Sequence, residues 1–194
     1  MRSQVRDLLG RRDLREARRK LERLVDLDDA DVDAWLLLGQ VCVLLGDTTR
    51  AEAAFTRALF HRPLDTVALG ACSALMQQQG RGEEAERVLR DRLRNVEHGA
   101  VPDGTDLEEA EAGLRMVLAQ LHVSMGESGK ALDEFDTVLA FRPGDYRAFL
   151  GKGLVLRLRE EDPDEADACF AEAARLAPSG VLEDFVKAAD QGFR

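Results

Sequence analysis

The chain has few cysteines and no long apolar run. Its 194 residues include three cysteines, Cys42, Cys72 and Cys169, which lie far apart and form no Cys-x-x-Cys pair. An odd, sparse set argues against a disulfide framework, and each cysteine falls on an apolar helical face, so we interpret all three as buried structural thiols. No stretch of about 18 apolar residues occurs and the N-terminus is charged, so neither a membrane span nor a secretory signal is predicted. We expect a soluble, intracellular protein.

Aromatic residues and net positive charge are also scarce. Only 5% of the residues are aromatic, which suits stacked helices better than a β-sandwich. The formal net charge of −10 argues against sequence-independent nucleic-acid binding, which needs a basic surface. The charge is uneven, since residues 1–23 carry nine basic and four acidic side chains, about +5 by count, which leaves about −15 for the remainder. We interpret the basic segment as a solvated helix face, with a contact surface for an acidic partner as the alternative.

The groupings of residues that support catalysis or metal binding are missing. His61, His98 and His122 are scattered, and none sits at metal-ligand spacing with a cysteine or a carboxylate. Paired acids such as Glu83–Glu84 lie at helix starts or turns, where we expect them to be solvated. Neither a G-x-x-x-x-G-K-[ST] nor a G-x-S-x-G motif occurs. We therefore expect no enzyme: no catalytic residues, no cofactor and no metal.

What the chain does contain is a pattern of two close-packed helices, running from Trp35 to Pro63. Trp35 and Leu38 stand one turn apart on a first helix, and Gly39 permits another backbone to approach. Gly46 and Asp47 predict the turn. The residues Ala51, Phe55 and Ala58 follow at helical spacing on a second helix, which Pro63 ends.

The pattern returns at intervals of 34 residues, which indicates repeats. Ala17 precedes Ala51 by 34 residues, and Ala85 follows it by 34, each on the second helix of a predicted pair. The period breaks at residues 98–106, HGAVPDGTD, which is a loop signal followed by a capping box of Asp106 and Glu109. We predict one domain spanning 1–194, with repeats at about 1–31 (partial), 32–65, 66–99, 112–145 and 146–179, an insertion at 98–111 and a C-terminal capping helix at 181–192. The apolar stripe of that last helix is expected to cover the end of the stack.

These residues resemble the tetratricopeptide repeat (TPR) family, whose signature runs aromatic, Leu-Gly, aromatic, Ala, Phe, Ala, Pro over about 34 residues. Cys42 and His122 depart from it, because the family usually has aromatics there. The resemblance implies an all-α, right-handed superhelical solenoid of antiparallel helix pairs. The segment 107–178, with Arg-Pro-Gly-Asp-Tyr-Arg at 142–147, also resembles plant chloroplast TPR proteins typified by SLOW GREEN. That narrower resemblance implies a chloroplast location, with the cytoplasm as the alternative, and a role in chloroplast development or protein-complex assembly.

The TPR resemblance also implies where a partner binds, because the first helices of successive repeats line the concave face of such stacks. The implied peptide-binding groove comprises Leu36, Leu37, Gln40, Val43, Leu44, Ala71, Ala74, Gln77, Gln78, Met116, Gln120, Val123, Ser124, Arg147, Leu150, Leu154 and Arg157. This set is apolar and amide-rich, with positive charge only at Arg147 and Arg157. It predicts a helix or extended peptide with apolar anchors and an acidic group near those arginines. The alternative is that Leu36, Val43 and Leu150 only pack between neighbouring repeats.

Two functions follow from these expectations. The first, which we favour, is an adaptor or scaffold that presents its concave face to a segment of another protein. The second is a structural protein that forms homo-oligomers through its end repeats, where the basic N-terminal repeat meets the acidic remainder head to tail.

Overall fold

The computed structural model describes residues 2–159 and 162–178 of the chain. These residues form ten α-helices, and no strand occurs among them. The helices are α1 (Arg2–Gly10), α2 (Leu14–Leu27), α3 (Val32–Leu44), α4 (Thr48–His61), α5 (Thr66–Gln78), α6 (Gly82–Glu97), α7 (Leu107–Ser124), α8 (Ser128–Phe141), α9 (Tyr146–Arg159) and α10 (Pro163–Leu176). The predicted all-α repeat fold is confirmed.

Aspartates start several of the helices. The Asp13, Asp31 and Asp47 side chains each accept a hydrogen bond from the backbone N–H three residues later, at 3.1 to 3.2 Å. Asp65 accepts from the backbone N–H groups of Val67 and Ala68, at 3.1 and 3.0 Å. An N-terminal turn leaves backbone donors without partners inside the helix, and a carboxylate both satisfies one and favours the positive end of the helix dipole.

The turn inside the repeat containing α3 and α4 depends on Gly46. Its φ of 75° lies in the left-handed region, which a residue without Cβ adopts at no steric cost. This geometry brings the Asp47 backbone N–H to the Cys42 carbonyl at 2.9 Å and the Gly46 N–H to the Val43 carbonyl at 2.9 Å. The last carbonyls of α3 are therefore satisfied, and the chain reverses directly into α4.

The chain divides into two compact units, residues 1–110 and 111–194, and each is described by itself. In the first unit every helix from α1 to α6 packs against the next one. Its core contains fully buried side chains such as Leu21, Val41 and Phe55, with the ring of Trp35 packed partly against them. The core thus runs through the stacked helices in the way that the 34-residue period predicts.

The second unit has its own core of small and medium side chains. Ala119 of α7, Phe135 of α8 and Val155 of α9 belong to one cluster. Cys169 of α10 lies in a smaller cluster. Arg115 of α7 reaches the buried Glu134 of α8, with its Nη1 3.0 Å from Oε2, so an ion pair as well as apolar packing joins these two helices.

Several local expectations can be compared with the structure. The Asp106 side chain accepts from the Glu109 N–H at 3.1 Å, as the capping box predicts, and α7 begins at Leu107. The prediction that all three thiols are buried is wrong for Cys72, which is only half-buried, whereas Cys42 and Cys169 are buried. The capping helix at 181–192 lies outside the described residues. The single domain spanning 1–194 stays a prediction.

Candidate functional site

The first helices of the first unit expose apolar side chains along one side. On α3, Leu37 and Leu44 are 37% and 67% exposed, and Gln40 between them is also exposed. The spacing of three and four residues places all three on the same side of the helix. A leucine that is two-thirds exposed gains little from the fold, so this side of α3 presents apolar surface to solvent.

Two corresponding positions of α5 are also exposed and carry an apolar or an amide side chain. Ala74 and Gln78, each 34 residues after Gln40 and Leu44, are exposed. Val67, at the start of α5, is 52% exposed. It is not among the predicted groove residues, which lie in the middle and at the end of this helix. We define the α3–α5 face as Leu37, Gln40, Leu44, Val67, Ala74 and Gln78.

Not every residue of the predicted groove is exposed. Four of them are half-buried and pack against the cores of their own units, namely Leu36, Ala71, Met116 and Val123. Three more are half-buried, namely Gln77, Arg147 and Leu150. The rest are exposed, namely Leu37, Gln40, Val43, Leu44, Ala74, Gln78, Gln120, Ser124, Leu154 and Arg157. Of the three residues named in the packing alternative, Leu36 and Leu150 are half-buried, whereas Val43 is exposed.

In the second unit the two predicted cationic positions are already paired with carboxylates. Arg147 donates from Nε and Nη2 to the two oxygens of Asp145 at 3.0 and 2.7 Å. Arg157 pairs with Asp167, and its guanidinium lies 5.4 Å from the Phe170 ring centroid. These pairs use the charge that the sequence analysis assigned to an acidic partner. Leu154 is exposed there, at 40%, as are Gln120 and Ser124.

Asp145 is the buried member of the pair with Arg147, since its side chain is 2% exposed. Burial by itself would raise the pKa of this carboxyl, but the hydrogen bonds from Arg147 and the nearby Arg142 charge lower it below its usual range. Because Asp145 also accepts from the Arg147 backbone N–H at 3.0 Å, it fixes the start of α9. Its role is structural.

Two of the histidines make local contacts. The buried His122 has Nδ1 3.0 Å from Glu127 Oε2. Hydrogen bonds from Lys130 and then His122 hold the pKa of Glu127 below its usual range. His98 Nδ1 lies 2.6 Å from the Arg94 carbonyl oxygen. Each of these contacts joins neighbouring turns of the chain.

A second surface of the first unit is polar and aromatic, and sequence reasoning did not find it. Arg57 lies over the rings of Trp35 and Phe60, 6.0 and 5.3 Å from their centroids, and it pairs with Asp29. His61 Nε2 is 3.1 Å from the same carboxylate. The hydrogen bond from Arg57 is the main cause that lowers the pKa of Asp29. These contacts fix the loop before α3 against α4.

An apolar cleft of about 330 Å³ opens between α1, α2 and α3. Its apolar lining consists of Val5, Leu9, Leu21, Leu24, Ala34 and Leu37. The charged residues Arg6 and Asp33 complete the lining. We name this cavity the end cleft.

No helix within residues 2–159 and 162–178 combines the length and the apolar character that crossing a membrane requires.

Known proteins share this architecture. The solved structure of pilF from Pseudomonas aeruginosa is 18% identical, with a TM-score of 0.58 over 98% of this chain and 86% of that one. PilW, a type IV pilus biogenesis factor, is 17% identical, with a TM-score of 0.60 over 91% of this chain and 77% of its own. MamA is 20% identical, with a TM-score of 0.52 over 95% of both chains. At these identities the likeness shows the fold alone.

No curated protein sequence matches the chain. The tetratricopeptide repeat family, a scaffold for protein–protein interaction, matches residues 2–66 and 116–181. Since these two segments make up more than half of its residues, the chain belongs to the tetratricopeptide repeat family.

Proposed function

We propose that this protein is a non-enzymatic adaptor or scaffold that binds a segment of another protein on the α3–α5 face. The observation that carries the proposal is the exposure of Leu44 and Val67, at 67% and 52%, on helices whose opposite sides form the core. Exposed apolar side chains interleaved with the amides of Gln40 and Gln78 suit a partner that supplies apolar anchors and backbone hydrogen bonds.

The second unit adds the first-helix positions Gln120 and Leu154 to the proposed binding residues. Their partner chemistry is the same, an exposed amide and a 40% exposed leucine. The acidic group that the sequence analysis placed near Arg147 and Arg157 is not part of the proposal, because both guanidinium groups have carboxylate partners within the chain.

The α3–α5 face is tested with Leu44→Asp against Leu27→Asp. Both leucines are highly exposed, at 67% and 77%, but Leu27 ends a second helix. Each variant and the unchanged protein are used to capture partners from a native extract, followed by crosslinking and mass spectrometry. We expect Leu44→Asp to lose crosslinked partners that Leu27→Asp retains. If both variants capture the same partners with the same crosslinks, the α3–α5 face is not the binding surface.

Self-association is the second candidate, and the uneven charge favours it. The first 23 residues carry about +5 and the remainder about −15 by count, which suits a head-to-tail contact between copies. Light scattering at low and high salt tests it, because salt screens such a contact. A mass that falls from oligomer to monomer on adding salt supports self-association, and a monomer at both salts excludes it. The chloroplast role receives no support from the comparisons and stays a prediction of the sequence.

A further inference from the structure

The end cleft is formed by side chains of α1, α2 and α3 that belong to the apolar core of the first unit. The half-buried Leu9 and Leu24 line it together with the buried Val5 and Leu21. The cleft is therefore an uncovered part of the apolar core.

The size and lining of the end cleft fit an amino-acid side chain. Its volume of about 330 Å³ is at the lower end of the range for ligand pockets, about 300–1,000 Å³. Apart from two charged residues its lining is aliphatic, and it offers no cluster of polar groups that would orient a nucleotide or a sugar. A large apolar side chain fills such a space and gains from leaving water.

The charged residues beside the cleft determine which chemical group of the partner lies next to that side chain. Of the two charged lining residues, Asp33 has Oδ1 3.4 Å from Arg62 Nη1. Arg6 is exposed, and no carboxylate among the described residues pairs with it. Residues 1–23 carry an excess of about five positive charges by count. A carboxylate next to the buried side chain is therefore attracted to this end of the unit.

We propose that the end cleft anchors one large aliphatic or aromatic side chain of a partner protein segment, and that Arg6 binds a carboxylate next to that side chain. The inference rests on the proposed function, because the end cleft shares Leu37 with the α3–α5 face and adds one anchoring pocket to that face. It assigns the partner a chemistry, an acidic segment with an apolar anchor, that the α3–α5 face alone does not specify.

The probe is a random twelve-residue peptide library displayed on phage and selected on the immobilised full chain. We expect the enriched peptides to share a large apolar residue with Asp or Glu next to it. One enriched peptide is then synthesised with a fluorophore and titrated with the protein and its variants by fluorescence anisotropy, at low and high salt.

Four variants separate the surfaces. Arg6→Glu and Leu37→Asp alter the end cleft, Leu44→Asp alters only the α3–α5 face, and Arg11→Glu makes the same charge change at an exposed position outside the cleft lining. We expect Leu37→Asp to weaken binding about 10- to 100-fold, the loss of one buried side chain. We expect Arg6→Glu to weaken it about three- to tenfold, with a smaller effect at high salt. Arg11→Glu should change it less than twofold. Circular dichroism melts establish that each variant is folded.

Each outcome decides one of the two proposals. If Leu44→Asp weakens the enriched peptide and Arg6→Glu does not, the end cleft is overturned and the proposed function stands. If Arg6→Glu and Leu37→Asp weaken it and Leu44→Asp does not, the cleft stands and the wider face is overturned. Peptides that lack a carboxylate, or that bind Arg6→Glu and Arg11→Glu equally, overturn the assigned chemistry. If sedimentation shows that the unchanged protein is an oligomer that Arg6→Glu dissociates, the occupant is a second copy and the proposal is wrong.

Discussion

Both the sequence pattern and the packing require a residue without a side chain at position 39. The variant Gly39→Ala tests this requirement. A Cβ at position 39 would lie 2.5 Å from Cε1 and 2.6 Å from Cζ of Phe55. Carbon atoms in good contact are about 3.5–4.0 Å apart, so the overlap is about 1 Å. The Phe55 ring is 1% exposed and belongs to the core of the first unit. It has no open space into which it can turn.

The change in the free energy of unfolding caused by Gly39→Ala follows from two opposing effects. Replacing glycine by alanine inside a helix favours folding by about 1 kcal/mol. Inserting a methyl group into a well-packed core costs about 1–3 kcal/mol. Because the methyl group meets a buried ring, we expect packing to prevail and the free energy of unfolding to fall by about 1–2 kcal/mol, which lowers the midpoint of thermal unfolding by about 3–6 °C.

Thermal and urea unfolding followed by circular dichroism measure this loss, with Gly129→Ala as the matched control. Gly129 also lies in a helix, but an added Cβ there meets nothing within 4 Å, so that variant should be as stable as the unchanged protein or slightly more stable. Phe55→Leu completes a double-mutant cycle in which Gly39→Ala should cost at least about 1 kcal/mol less beside leucine. Equal stability of Gly39→Ala and Gly129→Ala, or strict additivity in the cycle, would refute the assigned contact.

Three further predictions concern side chains inside the two units. Asp145→Asn should destabilise the protein by about 1–3 kcal/mol, because the buried bonds with Arg147 are weakened. The lowered pKa of Asp145 means that its contribution is present above the ordinary value of 3.8 and is lost as the pH falls below it, so acid titration of the unfolding midpoint should show a smaller fall in the variant. Lys152 Nζ lies 2.8 Å from Asp136 of α8 and 2.9 Å from Glu165 of α10. Lys152→Met should lower the free energy of unfolding by about 0.5–1 kcal/mol at low salt and by less at high salt. A loss of stability that is independent of salt would contradict an ionic role. Burial raises the pKa of all three thiols, that of Cys72 to about 11, so Ellman's reagent at pH 8 should react at least about a hundredfold faster with the urea-unfolded chain than with the folded one, and a fast-reacting thiol in the folded protein would contradict this.

The sequence predicted the helices well because several boundaries carry a local chemical cause. Asp65 before α5 and Gly46 after α3 act through backbone geometry that any helix end requires, so their meaning does not depend on the remainder of the fold. The need for a small residue at Gly39 could also be read without coordinates. The sequence predicted that another backbone approaches Gly39, whereas the structure places the Phe55 ring there.

The candidate site could be predicted only in part, since exposure depends on which neighbours the chain supplies. Leu36 and Leu37 are adjacent in the sequence, but Leu36 packs against the core and Leu37 lies at the rim of the end cleft. The cleft itself combines side chains of α1, α2 and α3, and no single motif contains three helices. Val67 was missed for a similar reason, because a β-branched residue in a first turn has the same pattern whether or not another helix covers it.

The sequence predicted least well which arginines keep an unpaired charge at the surface. Only such arginines are useful for binding an acidic partner. A long arginine side chain on a first helix can reach a carboxylate of its own or a neighbouring helix, as Arg157 reaches Asp167 of α10. In a chain with 37 acidic residues and 27 basic ones, such partners are plentiful, so an arginine at a groove position is neutralised within the fold. Arg6 differs because it lies on α1, in a segment where basic residues outnumber acidic ones. Specificity for an acidic partner is therefore expected at the basic end of the first unit, whereas exposed leucines such as Leu44 provide affinity with little selectivity.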